Sequence, residues 1–71
     1  MDEELRFAVE MWEPNGSLKR VIAKSSSIVV ARSTFESAVA EYPGARLTLC
    51  HAGRLVDSTE RRQREARSKA Q

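Results

Sequence analysis

Leu5, Phe7, Val9 and Met11 alternate with Arg6, Ala8, Glu10 and Trp12. Period two over this run predicts a β-strand with one apolar face. Pro14-Asn15-Gly16 follows as a three-residue hairpin loop, with proline presetting the first turn position and Gly16 taking a left-handed one. That loop pairs Glu13 with Ser17. Counting back, Trp12 faces Leu18, Glu10 faces Arg20, Val9 faces Val21 and Phe7 faces Ala23, so that like meets like and opposite charges meet. A two-residue loop would instead pair Met11 with Arg20 and Glu10 with Val21.

Ser25-Ser26-Ser27 closes the second strand and offers a helix N-cap. Ile28, Ala31, Phe35, Ala38 and Tyr42 then recur every three or four residues, a single helical stripe that Val39 widens. Pro43-Gly44 ends it. A rival reading caps the helix at Ser33, with Glu36 as its capping-box partner, and leaves Ile28-Val29-Val30 on the strand. The stripe runs unbroken from Ile28, which favours the earlier start. Leu47 and Leu49 alternate with Thr48 and Cys50 as a third strand. Ala52-Gly53 makes a turn, and Arg54 to Ser58 forms a short fourth strand. A three-residue loop here pairs Leu49 with Leu55.

The order is ββαββ, and the expected fold is α+β. One helix packs on a four-stranded, mainly antiparallel sheet. The helix stripe is expected to meet Phe7, Val9, Val21, Leu47, Leu49 and Leu55. Trp12, Leu18, Ile22 and Val56 are then left on the opposite sheet face. Strand order stays open, since the hairpins can join through their inner or outer strands.

From Glu60 onward the apolar residues almost vanish. Residues 60–71 carry five cations (Arg61, Arg62, Arg64, Arg67, Lys69) and two carboxylates, a net +3, while residues 1–59 carry seven cations and eight carboxylates, a net −1. The basic character therefore belongs to the end of the chain. Residues 1–59 read as one small domain. Residues 60–71 read as a flexible, charged tail with i,i+4 pairs (Glu60–Arg64, Glu65–Lys69) but no face to bury.

In 71 residues with one cysteine and one histidine, neither an intrachain disulfide nor a His/Cys zinc site can be assembled from one chain. A domain of this size buries only about 60% of its unfolded surface, so self-association is the accessible source of further stability. No apolar run approaches the roughly 20 residues that cross a bilayer. Met1-Asp2-Glu3-Glu4 has the wrong charge for a signal peptide. With a free Cys50, these features lead us to expect a cytoplasmic protein.

Candidate chemistry is sparse. Cys50 and His51 are neighbours on a strand and point to opposite faces, so they do not form a dyad. An enzyme or metal protein would need groups from a second chain. No G-x-x-x-x-G-K phosphate loop is present. The expectation is a non-enzymatic protein without cofactor or metal, acting through protein–protein contact as a homodimer or with another protein. Trp12, Leu18 and Ile22 form its contact surface, with Trp12 either packing over its own hairpin or anchoring the partner. The alternative is a nucleic-acid-binding accessory protein that uses Arg61, Arg62, Arg64, Arg67 and Lys69 on phosphates. It lacks the aromatic stacking pair of RNA-recognition sheets.

The run from Val30 through Tyr42-Pro43-Gly44 to Leu49, followed by Gly53-Arg54-Leu55-Val56, resembles a group of short uncharacterised alphaproteobacterial proteins. They share an alanine-rich helix, Tyr-Pro-Gly, a strand and Gly-Arg-hydrophobic. This likeness implies a bacterial, cytoplasmic protein and lends no activity. In order of elements the chain is also similar to the ubiquitin-like β-grasp. It departs in ending Lys69-Ala70-Gln71 rather than Gly-Gly, in its short helix-to-strand connection and in lacking a fifth strand, so no modifier or sulfur-carrier role is implied.

Overall fold

A computed structural model describes residues 6–69, with side chains through residue 67. Leu5, the acidic start at residues 1–4, the Lys69 side chain and the last two residues lie outside that description. The elements are β1 (Phe7–Trp12), β2 (Leu18–Ser25), α1 (Ile28–Glu41), β3 (Arg46–His51), β4 (Arg54–Ser58) and α2 (Thr59–Lys69). The four strands form one antiparallel sheet in the order β2-β1-β3-β4. The hairpins therefore join through β1 and β3, which are also the two strands that supply the core.

Val9 and Met11 of β1, Leu47 and Leu49 of β3, and Ala31, Phe35 and Ala38 of α1 form that core. The helix begins where the unbroken stripe places it. Ser27 is its N-cap, its Oγ accepting from the Val30 N–H at 3.3 Å, which satisfies one of the free amides of the first turn. At the other end the Tyr42 N–H donates to the Ala38 carbonyl at 2.9 Å. Gly44 then leaves the helix with φ +85°.

The first hairpin loop is also as predicted. The Glu13 N–H donates to the Ser17 carbonyl at 2.8 Å and the Gly16 N–H to the Glu13 carbonyl at 2.9 Å. Asn15 Oδ1 accepts from the Ser17 backbone N–H and hydroxyl at 2.9 and 2.7 Å. Trp12 faces Leu18.

Beyond that pair the register departs from expectation. Two β-bulges insert Lys19 and Ile22, so Met11 opposes Arg20, Glu10 opposes Val21, Val9 opposes Ala23 and Phe7 opposes Ser25. The expected Val9–Val21, Glu10–Arg20 and Phe7–Ala23 pairs do not form. A bulge sets two residues against one and re-aims a side chain. Here it turns Ile22 toward the core, where it packs, and leaves Val21 on the opposite face beside Glu10.

The second hairpin shows a similar exchange. Ala52 and Gly53 both have positive φ, 51° and 84°, as a two-residue type I′ turn requires. His51 therefore opposes Arg54, and Cys50 opposes Leu55. A bulge then sets Val56 and Asp57 against Leu49. Leu55 does not pair with Leu49; it lies on the face away from the helix, and Val56 packs against the core.

The charged segment is helical from Thr59. Ser58, itself buried, caps it by accepting from the Arg61 N–H at 3.0 Å. The Thr59 hydroxyl accepts from the Leu47 N–H at 3.2 Å.

Candidate interaction surface

The sheet has α1 on one face only, and the register defines the other. Cross-strand partners share a face, so that face is a grid of three rows. Leu18, Trp12 and Arg46 form the first row. Val21, Glu10, Thr48 and Ser58 form the second. Lys24, Ala8, Cys50 and Leu55 form the third. Leu18 and Leu55 stand 47% and 55% exposed at opposite edges, with Val21 at 40%.

Trp12 is half-buried and tied to β3. Its indole N–H donates to Thr48 Oγ1 at 2.9 Å, which satisfies the polar end of the ring and leaves its apolar body as surface. Beside it lies a shallow hollow of about 310 Å³ whose walls include Trp12, Thr48, Leu55, Ser58 and Glu60. Arg46 and Glu60 pair at its rim, 3.3 Å apart. Cys50 Sγ is 4.0 Å from Glu10 Oε1. Burial pushes the Cys50 thiol up, Glu10 adds to that rise, and Thr48 opposes it.

Of the three residues predicted for this surface, Trp12 and Leu18 are on it and Ile22 is not, because the bulge at Ile22 exchanges its place with Val21. Val21, Thr48 and Leu55 complete the surface. The signal for Leu55 was the Ala52-Gly53 pair: a two-residue turn there puts Leu55 opposite Cys50. Cys50 and His51 diverge as neighbouring strand residues should. His51 lies toward the helix side, stacked on Phe7 with ring centroids 4.3 Å apart and planes 13° apart.

The cations of the C-terminal segment have different environments. Arg62 is engaged three ways: its Nε donates to Asp57 Oδ2 at 3.0 Å, its Nη1 to Glu36 Oε1 at 2.9 Å, and Nη2 also pairs with Glu36 Oε2. The two carboxylates raise the Arg62 pKa further, and Arg62 in turn lowers that of Glu36. Arg32 adds a longer contact to Asp57 at 3.7 Å. Arg61 donates to the Val56 carbonyl at 2.9 Å and lies 3.6 Å from Glu65. Glu60 pairs with Arg46 in place of the expected Arg64. Arg64 and Arg67 are exposed.

Among the described residues no three His, Cys, Asp or Glu side chains gather as a metal site, and no helix is long and apolar enough to cross a membrane. No family model matches the chain, and neither a curated protein nor a solved structure does.

Proposed function

We propose that this is a non-enzymatic protein–protein interaction module whose contact surface is the sheet face opposite α1. The observation that carries the reading is the set of exposed apolar side chains on that face. Leu18, Val21 and Leu55 are exposed around a tryptophan whose only polar atom is already bonded to Thr48. Tryptophan presented in this way suits an interface anchor, and a sheet with one helical layer has room for a second layer there. The nucleic-acid alternative is weaker on the same geometry, because Arg61 and Arg62 are spent on Val56, Glu36 and Asp57.

Cys50 is the chain's single thiol and sits within the proposed surface, so its alkylation rate reports whether the face is covered. In cells producing the protein, Cys50 is expected to react more slowly than in dilute purified protein. Leu18→Glu is expected to abolish that protection. Equal rates in the two settings would remove the reading.

A further inference from the structure

Resting on that reading, we infer that the occupant of the face is a second copy of this chain, packed sheet to sheet about a two-fold axis that runs parallel to the strands. Two observations point there. The first is charge. Within the grid and at its rim stand two cations, Lys24 and Arg46, and two carboxylates, Glu10 and Glu60. A neutral face with alternating signs repels neither itself nor an apolar partner. It offers no single-signed field to a nucleic acid or to an acidic or basic protein.

The second is the register, which separates the two ways a sheet can pack on itself. An isologous contact presents the same patch from both copies. With the axis in the interface plane and perpendicular to the strands, each strand lies over its own copy. Glu10, in the middle row of β1, then meets Glu10, and two like charges are desolvated together. With the axis parallel to the strands, β1 lies over the copy's β3, and β2 over its β4. Glu10 then meets Thr48, with the copy's Arg46 in the adjacent row as a counter-charge. Trp12 meets Arg46, a cation against an aromatic face. Ala8 meets Cys50, small against small. Leu18, at the exposed edge of β2, comes over the hollow beside Glu60, and Lys24 lays its stem on Leu55. Both axes keep the strands of the two sheets aligned, one of the two ways sheets pack face to face, so the contacts decide between them.

Four strands about 4.8 Å apart and about six residues long at about 3.3 Å per residue give a face on the order of 300 to 400 Å² in projection. That is small beside the roughly 800 Å² per partner of a standard interface. A contact of that size points to a reversible dimer whose population depends on concentration.

The test is sedimentation of purified full-length protein from micromolar to millimolar concentration, followed by disulfide trapping in a Cys50→Ser background. A concentration-dependent doubling of mass is expected, lost in Leu18→Glu. The pair Lys24→Cys with Leu55→Cys lies three strands apart within one chain, so it can close only between copies. It should trap a covalent dimer if the axis is parallel to the strands. The pair Leu18→Cys with Lys24→Cys should trap a dimer only if the axis is perpendicular. Trapping by the second pair and not the first overturns the arrangement. A monomer at every concentration overturns the second copy as occupant. If Cys50 is still protected in cells, the interaction reading stands and a different protein covers the face; if that protection is absent too, the interaction reading falls with it.

Discussion

The guanidinium carbon of Arg62 lies 4.8 Å from the centre of the Phe35 ring. Phe35 is the fully buried centre of the helix–sheet core, and Arg62 is the side chain of α2 that reaches it. The same guanidinium is forked between Glu36 on α1 and Asp57 at the end of β4. Three elements thus meet on one side chain. The cap residue of α2 and its first three residues add further polar contacts.

Arg62→Ala should therefore loosen α2 while leaving the sheet and α1 folded. Cation–π contact at a partly exposed site is worth about 0.5 to 1 kcal/mol, and each of the two surface ion pairs about 0.2 to 1, so a loss of about 1 to 3 kcal/mol is expected. Urea denaturation measures it, and amide exchange should show faster exchange confined to residues 59–67. Arg62→Lys should rescue little, because a single ammonium cannot fork between two carboxylates while lying over a ring.

The same contact makes α2 sensitive to acid. Arg62 lowers the Glu36 pKa, chiefly by donating hydrogen bonds to its carboxylate. A carboxyl with a lower pKa when folded stabilises the fold above its unfolded pKa, about 4.3, and loses that contribution as pH falls through the folded value. The anchoring of α2 should accordingly be intact at neutral pH and weaken below about pH 4. Glu36 is half exposed, so high salt should weaken the effect at any pH. Helical ellipticity followed from pH 7 to 3 in the natural chain and in Glu36→Gln is the check. The variant should lose part of the acid-dependent change, and an identical titration would refute the assignment.

Ala52 carries a left-handed φ of 51° in the β3–β4 turn. A residue with a Cβ is strained there by roughly 1 to 2 kcal/mol, and asparagine, which tolerates that region, is favoured before glycine in a type I′ turn. Ala52→Asn is expected to stabilise the protein by about 0.5 to 1 kcal/mol, read as a higher melting temperature. Gly53→Ala should do the reverse. No atom lies within 4 Å of the Cβ it would add, so the cost there is backbone strain alone.

Thr48→Val removes the acceptor of the Trp12 indole N–H with almost no change in shape. A cost of about 1 kcal/mol is expected for that hydrogen bond. Trp12 is the only tryptophan, so its fluorescence reports the change without interference. Loss of a fixed Trp12 orientation should appear as lower steady-state anisotropy, with the melting transition still cooperative.

What was legible in the sequence is what short-range chemistry decides. Pro14-Asn15-Gly16, the Ser27 cap and the Tyr42-Pro43-Gly44 exit each act within a few residues, and all three stand where the pattern places them. The bulges at Lys19, Ile22 and Val56 were not legible. Each leaves the local run of apolar residues intact while changing which residue faces the helix. That choice is made by how well Ile22 and Val56 pack under α1, a property of the assembled layers. This is why Trp12 and Leu18 were correctly placed on the open face while Ile22 and Val56 exchanged places with Val21 and Leu55. The docking of α2 was hidden for a similar reason. It depends on Arg62 meeting Phe35, Glu36 and Asp57, and a single long-range contact leaves no periodic trace.

The bulge at Lys19 has an outcome for inheritance. Trp12 opposes Leu18 and Met11 opposes Arg20, so Lys19 is a residue that the ladder does not use. Loss of that one codon would let the two pairs become consecutive and leave every side chain from Arg20 onward on its present face. Loss of Thr48, where the pairing with β1 is regular, would turn the rest of β3 inside out. Length variation along this gene should therefore be tolerated at codon 19 and purged within the regular ladders.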